Sequence, residues 1–247
     1  MKPIAHIRTD LPQKFGLPRQ SGLAPSLQGR IVFEPEFALP SAVKGLEGFS
    51  HLWLIWLIEN GASGGAAQDV AADTATTNAP RQAANAQHWS PTVRPPILGG
   101  SERIGVFATR SPFRPNPIGL SCVELDHVEI TDQGPVIHVL GADLRDMTPI
   151  LDIKPYVPHA DCKPHARGGF TDTHSWQTLE VVIPEDLLAL IPEQKRDGLL
   201  QILEQDPNPV GRKHNKKARE GHLAYAGFEV IFMIEGTTLT VTSVCRI

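Results

Sequence analysis

Several features are scarce or absent in this sequence of 247 residues, and each absence excludes a class of protein. The three cysteines, Cys122, Cys162 and Cys245, are widely spaced and odd in number, so they predict neither a disulfide framework nor a zinc site with CxxC spacing. The longest apolar run, LWLIWLI at 52–58, is far too short to cross a membrane. The first residues, MKPIAHIRTDLPQK, have no apolar core and no small-residue cleavage site, which predicts a cytoplasmic protein with no membrane partner.

The charge and the missing motifs narrow the function classes further. A net charge of -4 argues against a protein that coats nucleic acid with its whole surface, although it leaves room for a local basic patch. The sequence has no Walker A motif, no HExxH, no GxSxG and no GxGxxG after a strand, which argues against the common nucleotide-binding folds. No metal partner is predicted.

The hydrophobic pattern predicts a mainly β protein. Short segments rich in Val, Ile and Leu, such as RIVFEPEF and PVIHVLGADL, are separated by Gly, Pro, Asn and Asp, and no long amphipathic helices alternate with them. This favours a small antiparallel β-barrel of non-Rossmann type over residues 1–162. Residues 60–88 are small and polar, which indicates a flexible surface loop. Helical spacing followed by two strands predicts a small α+β C-terminal domain over 163–247.

One stretch, ATRSPFRPNPIGLS at 108–121, combines two arginines with three prolines. The prolines keep the backbone extended, and the preceding segment RIGVFATR is predicted to be a strand that leads straight into Arg110. Rigidly placed guanidinium groups suit a carboxylate or a phosphate, because their planar fork donates two hydrogen bonds at once. The alternative is that Arg110 and Arg114 pair with carboxylates inside the fold.

A second constellation lies in LGADLRDMTPILDIKPYVPHAD at 140–161. Its carboxylates, Asp143, Asp146 and Asp152, suit general acid and base chemistry. The alternative is structural, because Asp and Thr before Pro are common turn residues that bond to nearby backbone amides.

Two further motifs each allow a structural and a functional reading. His51 in the apolar segment FSHLWLIW is either a satisfied core histidine or a ligand, while Trp53 and Trp56 fall on opposite faces of the strand and are most simply core. The basic segment at 207–219 is either a solvated charged face or a contact to a phosphate backbone.

Taken together, five segments carry a family resemblance: GLPRQSGL, LEGFSHLWLI, the long RPPILGGSERIGVFATRSPFRPNPIGLSCVEL, DMTPILDIKPYVP and QDPNP. They resemble the TsaA-like family of tRNA methyltransferases. The resemblance implies a β-barrel that binds S-adenosylmethionine, a homodimer, and methylation of N6 of threonylcarbamoyladenosine at position 37 of tRNA. The open alternatives are an S-adenosylmethionine-binding regulator and a methyltransferase acting on another small acceptor.

The resemblance also implies roles for individual residues. Asp152, Lys154 and Tyr156 are the candidate catalytic residues, their alternative being a structural strand end. The basic side chains predicted to contact tRNA are Arg114, Arg212, Lys213, Lys216 and Lys217. The predicted contacts to S-adenosylmethionine are Pro18, Arg19, Gln20, His51, Leu52, Arg110, Leu120, Asp146, Met147, Thr148 and Pro149.

Overall fold

The computed structural model describes residues 1–58, 89–100, 102–174, 177–207 and 218–247. The predicted loop at 60–88 and the predicted tRNA contacts Arg212, Lys213, Lys216 and Lys217 lie outside the described residues.

Strands dominate the described part of the chain. In chain order they are β1 (Ala5–Thr9), β2 (Gln28–Phe33), β3 (His51–Leu57), β4 (Thr92–Val93), β5 (Ile104–Gly105), β6 (Ile118–Thr131), β7 (Gly134–Leu140), β8 (Thr148–Pro155), β9 (Glu180–Val182), β10 (Arg219–Tyr225), β11 (Phe228–Glu235) and β12 (Thr238–Arg246). The described α-helices are α1 (Pro158–Asp161), α2 (Glu185–Leu188) and α3 (Glu193–Glu204). Short 3-10 helices occur at Pro40–Ala42, Leu46–Gly48, Pro96–Leu98, Val106–Ala108 and Gly169–Asp172.

Within the described residues, six strands close into a barrel in the order β1-β2-β7-β6-β3-β8. Every neighbouring pair is antiparallel, so the predicted non-Rossmann antiparallel barrel is confirmed. Alternate residues point inward, as in β7, where Ile137 and Val139 are buried and their neighbours are half-buried. The barrel interior is an apolar cluster that includes Ile7, Ile31, Leu52, Ile137 and Ile150.

The longest strand, β6, has two partners in succession. Its first half pairs with β3 from Ile118 to Glu124, and its second half pairs with β7 from Glu124 onward, with an irregularity between Leu125 and His127. The first half therefore has a backbone edge that β7 does not cover. The loop before β2 lies at this edge, because the Ser21 Oγ accepts a hydrogen bond from the Cys122 N–H at 3.1 Å.

The C-terminal part forms a sheet in the order β10-β11-β12-β9, with α3 packed against one face. Its core contains Leu199, Ile202 and Phe232 and also takes in side chains from far upstream. These upstream members are Leu11, Ala24 and Leu27. The predicted α+β C-terminal unit is present, and the segment before β2 contributes to its core.

The predicted strand RIGVFATR is wrong for most of its length. Pairing ends after Ile104–Gly105, and Val106–Ala108 form a 3-10 turn, so Arg110 follows a turn and does not leave a strand. The cause is a set of local hydrogen bonds to carbonyl groups. The Arg114 guanidinium donates to the carbonyls of Val106 at 3.0 Å and Thr109 at 2.6 Å, which stabilises the turned backbone.

Candidate functional site

A polar cluster lies at the uncovered edge of β6, around Ser121, which pairs with Leu54 of β3. Ser121 is 1% exposed, and its hydroxyl donates to Asp143 Oδ1 at 2.6 Å. The same hydroxyl oxygen accepts a hydrogen bond from the Trp56 Nε1–H at 3.0 Å. Asp143 itself lies in the connection between β7 and β8. We call Gln20, Ser21, Arg110, Ser121 and Asp143 the barrel-end cluster.

The Asp143 carboxyl is the half-buried acid of this cluster. Burial raises its pKa above the ordinary value of 3.8, because desolvation disfavours the charged form. Hydrogen bonds from the Ser121 hydroxyl and the Ser21 backbone N–H, together with the nearby positive charge of Arg110, act in the opposite direction. The fold therefore places an acid in a poorly solvated position and compensates it with donors and a cation.

Arg110 is the exposed cation of the cluster. Its Nη1 donates to the Gln20 Oε1, and the Gln20 Nε2 donates to the Arg19 carbonyl at 2.6 Å. Arg19 in turn reaches the Asp206 carbonyl at 3.0 Å, which ties this segment to the end of α3. Pro18 is buried beneath the segment. Predicted cofactor contacts from two distant parts of the sequence thus meet at one place.

Leu120 lies next to this cluster on the outer face of β6. It is 52% exposed and pairs with Ile55 of β3. An exposed leucine beside a polar cluster offers a flat apolar surface on which a planar ligand group can lie.

The DMTP turn holds its acid by a different set of bonds. Asp146 Oδ1 accepts from Arg8 Nε at 2.9 Å and from the Thr9 backbone N–H at 3.0 Å. Met147 has a positive φ of 65° and is 47% exposed, so the turn pushes its side chain into solvent.

The remaining two residues of this turn, Thr148 and Pro149, contact other parts of the fold. The Thr148 hydroxyl donates to the Arg145 carbonyl at 2.8 Å, and the Thr148 side chain is largely buried. Pro149 pairs with His6 at the start of β8.

His51 and Leu52 lie at the start of β3. Three residues separate His51 from Leu54, the β3 partner of Ser121, which corresponds to about 10 Å along a strand. Leu52 is 0% exposed and belongs to the barrel core. The His51 ring lies 6.1 Å from the ring of Tyr156, centroid to centroid. Within one chain, these two predicted cofactor contacts are therefore separate from Arg110 and Gln20.

The three candidate catalytic residues share the outward face of the barrel at β8. The Lys154 Nζ forms an ion pair with Asp152 Oδ2 at 2.8 Å, and both side chains are well exposed. The other carboxylate oxygen of Asp152 accepts a hydrogen bond from the Ile153 N–H at 2.9 Å. Desolvation raises the pKa of the Tyr156 phenol, and the neighbouring Cys162 and Asp161 raise it further. The phenol is therefore protonated at neutral pH.

Arg114, which the sequence predicts as a tRNA contact, has a clear local role. Besides its two bonds to backbone carbonyls, its guanidinium lies 5.5 Å from the centre of the Phe107 ring. Phe107 is 72% exposed, so this cation–π contact lies at the surface of the loop. The guanidinium thus fixes the shape of the loop that carries Arg110.

Sequence reasoning missed several members of the barrel-end cluster. Ser21 and Ser121 sit beside predicted residues, Gln20 and Leu120, but nothing in their local sequence marks them. Asp143 falls in the acidic constellation that the sequence singles out, but the family resemblance implies roles for Asp146 and Asp152 and none for Asp143. The distinguishing signal is burial, which the local pattern does not reveal.

Two observations concern what the described residues lack. They contain no group of three His, Cys, Asp or Glu side chains placed to hold a metal ion. Likewise, no helix in the described ranges has the length and apolar character needed to span a membrane.

Comparison with known proteins assigns the family. The family model of the tRNA-methyltransferase O N-terminal domain matches residues 6–162. The chain belongs to this family. The tRNA-methyltransferase O match covers the barrel strands and the barrel-end cluster, and it ends just after α1.

Relatives and solved structures of the tRNA-methyltransferase O family extend over most of the chain. The tRNA (adenine(37)-N6)-methyltransferase of Escherichia coli strain K12 is 37% identical over 216 residues, which cover 85% of this chain and 82% of the relative. The protein of the same name from Eikenella corrodens is 37% identical and covers 76% of this chain and 92% of the relative. The crystal structure of TrmO from Pseudomonas aeruginosa matches with a TM-score of 0.69 and 28% identity, covering 98% of this chain and 97% of that one.

Proposed function

We propose that this protein is an S-adenosylmethionine-dependent methyltransferase that methylates N6 of adenine-37 in tRNA. Relatives that share 37% identity with it are named tRNA (adenine(37)-N6)-methyltransferase, which supports the reaction and the acceptor. We further propose that the acceptor carries a threonylcarbamoyl group on N6. Because this group is polar, a site built to pair its atoms would reject tRNA that lacks it.

The observation that carries the proposal is the barrel-end cluster. S-adenosylmethionine has a carboxylate, an ammonium group, a ribose with two hydroxyls and a planar adenine. The exposed Arg110 suits the carboxylate, and the Asp143 or Asp146 carboxylates suit the ammonium or hydroxyl donors. The exposed Leu120 suits the adenine plane. The residues present therefore fit the cofactor, and we propose that Pro18, Arg19 and Met147 to Pro149 complete its binding site.

When bound, S-adenosylmethionine supplies a methyl group on a positively charged sulfur. The protein has no covalent step to perform, so its contribution is to align the acceptor with the methyl group and to exclude water. Hydrogen bonds that fix Gln20, Ser21 and Ser121 before ligand arrives keep the cost of ordering low.

A proton must also leave N6 of the acceptor. Tyr156 is protonated at neutral pH, because its pKa is raised, and so it is a hydrogen-bond donor in this site. We propose Asp152 as the proton acceptor and Lys154, its ion-pair partner, as the group that holds it in place.

We propose that the basic side chains Arg212, Lys213, Lys216 and Lys217, which lie outside the described residues, contact the tRNA backbone. Neutralising the three lysines should raise the KM for tRNA and flatten its salt dependence, since fewer counterions are released on binding. The affinity for S-adenosylmethionine should stay the same. We propose that Arg114 contributes to tRNA binding indirectly, by fixing the shape of the loop at 106–114.

We also propose a homodimer. His51 lies about 10 Å along β3 from the partner of Ser121 in one chain. A second copy would allow His51 and the backbone of Leu52, whose side chain is buried in the barrel, to border the same ligand as Arg110. Light scattering in solution tests this directly, with a monomer mass as the contradicting result. We propose that residues 1–162 form a barrel unit and residues 163–247 a C-terminal unit. We also propose that the protein acts in the cytoplasm.

The deciding experiment compares tRNA nucleosides by mass spectrometry. The purified protein is incubated with labelled S-adenosylmethionine and with tRNA that carries or lacks the threonylcarbamoyl group. Label in the nucleoside from position 37 of the modified tRNA supports the proposal. Binding of the cofactor without any transfer would favour a regulator, and transfer to small molecules alone would favour another acceptor.

A further inference from the structure

Trp53 occupies an unexpected place for a large apolar ring. Its neighbours Leu52 and Leu54 are 0% exposed and point into the barrel, so the alternation of β3 places Trp53 on the outer face. The sequence assigned both tryptophans to the core, but only Trp56 packs against the described barrel core. On the outer face, Trp53 pairs with Cys122 on one side and Lys154 on the other.

Three rings meet on this outer face. The Trp53 and Tyr156 ring centroids lie 5.9 Å apart at an angle of 43°, and the His51 ring centroid lies 6.1 Å from that of Tyr156. We call His51, Trp53 and Tyr156 the aromatic face. All three are half-buried, so each keeps part of its surface open to solvent.

The orientation of the Trp53 ring is fixed. Its Nε1–H donates to Asp161 Oδ2 at 3.1 Å, and the Val157 backbone N–H donates to the same oxygen at 2.8 Å. These two bonds are the main reason that the pKa of Asp161 is lowered. A ring held in this way loses little conformational entropy when a second ring stacks on it.

Positive charge lies near the aromatic face, because the Lys163 ammonium is close enough to Asp161 to lower its pKa. The connector at 157–167 carries exposed basic side chains, and Asp161 is its single acidic residue. The carboxylate of Asp161 is occupied by its bonds to Trp53 and Val157. The exposed basic side chains of the connector are His159, Lys163, His165 and Arg167. Aromatic rings beside cations are the combination by which proteins bind single-stranded nucleic acid without reading its sequence.

The aromatic face also lies close to the groups of the proposed reaction. Trp53 and Ile55 are successive outward residues of β3, about 7 Å apart along a strand. Ile55 pairs with Leu120 on one side and Asp152 on the other. A base lying on Trp53 would therefore be about 7 Å along the strand from Ile55, which is flanked by the proposed cofactor surface at Leu120 and the proposed proton acceptor Asp152.

We propose that Trp53 stacks on the base at position 37 of tRNA, with the basic connector contacting the adjacent phosphates. This proposal rests on the proposed function and adds to it the side chain that holds the acceptor base. Removing such a stack is expected to weaken RNA binding about tenfold, in the lower half of the range for base–aromatic stacking.

The test is a mutant cycle that compares the binding affinities of two RNAs for wild-type protein and three variants. The RNAs are anticodon stem–loops that carry either N6-threonylcarbamoyladenosine, the base of the proposed substrate, or an abasic residue at position 37. Trp53→Leu keeps an apolar side chain without a ring, and Trp53→Phe keeps a ring without the N–H. Asp161→Ala is the matched control, because it removes the ring's hydrogen-bond partner and leaves the ring. Binding is followed by fluorescence anisotropy of labelled RNA.

Wild-type protein should bind the abasic RNA about tenfold more weakly, and Trp53→Leu should bind both RNAs with the same reduced affinity. Trp53→Phe and Asp161→Ala should stay within about threefold of wild type, and the Kd for S-adenosylmethionine should not change in any variant.

Several results would overturn the stacking proposal. Equal affinities of wild-type protein for the two RNAs would do so without any variant, even if Trp53→Leu failed to fold. An Asp161→Ala variant as weak as Trp53→Leu would make Trp53 an anchor for the connector. A change of oligomeric mass in Trp53→Leu would make this face a subunit contact. If wild-type protein binds the RNA with the base more tightly than the abasic RNA but transfers no methyl group, the proposed function is contradicted and the stacking proposal is not.

Discussion

Replacing Arg110 by alanine removes the exposed cation of the barrel-end cluster. In the folded protein this guanidinium donates to the Gln20 Oε1 and lies near the half-buried Asp143. Its other N–H groups remain available for a ligand, because an arginine side chain carries five donors. We expect Arg110→Ala to weaken the binding of S-adenosylmethionine and to leave the fold intact.

The size of the effect follows from the exposure of the residue. A hydrogen bond to a charged group contributes about 1.5–3 kcal/mol. Arg110 is exposed, and solvent screening favours the lower part of this range, about 1.5–2 kcal/mol. This corresponds to a rise of roughly 10- to 30-fold in the Kd.

Isothermal titration calorimetry measures this Kd, with two variants for comparison. Arg110→Lys keeps the charge but loses the planar fork, so its Kd should fall between those of wild type and Arg110→Ala. Gln20→Ala removes the partner that positions the guanidinium and should produce a smaller loss than Arg110→Ala.

An unchanged Kd in a folded Arg110→Ala variant would refute the reasoning and remove this arginine from the site. The variant also gives a second readout. The positive charge of Arg110 lowers the pKa of Asp143, so its removal should move that pKa further upward, as measured by carboxyl NMR titration.

Three further outcomes follow from the described contacts. Ser121→Ala should lower the free energy of unfolding in urea by about 2 kcal/mol, because it removes a donor to Asp143 and the acceptor of the Trp56 N–H. Since burial raises the pKa of Asp143, folded protein binds this proton more tightly than unfolded protein, and stability should fall as the pH rises from about 4 through the folded pKa. Asp143→Asn should abolish the part of this pH-dependent loss of stability that Asp143 causes, as measured by urea titrations at several pH values. An unchanged dependence of stability on pH would contradict this assignment to Asp143. Lys195→Met breaks a half-buried ion pair with Asp10 and should therefore destabilise the fold by about 1 kcal/mol. Scanning calorimetry should show this as a melting temperature that is a few degrees lower.

The sequence predicted the barrel well because its evidence was local. Alternating apolar residues in segments such as β3 and β7 mark strands directly, and no long helices interrupt them. The same locality explains the error at RIGVFATR. Its strand-like composition is overridden by Arg114, whose bonds to carbonyls several residues upstream form a 3-10 turn.

The candidate site could be predicted only in part, because it is assembled from distant segments. The family resemblance identified Arg110 and Gln20, which meet in the structure. Ser121 and Asp143 become recognisable only when burial and a 2.6 Å hydrogen bond are known. Trp53 was misplaced because an apolar residue on either face of β3 suits a core equally well until the barrel is closed.

The contribution of Leu11, Ala24 and Leu27 to the C-terminal core has a consequence for protein synthesis. These residues leave the ribosome early, but their packing partners, such as Leu199 and Phe232, are translated near the end. Until then the nascent chain carries apolar side chains that its own barrel cannot bury. A premature stop codon after α1 would make that condition permanent, and the truncated protein should aggregate or be degraded even though it has all six barrel strands.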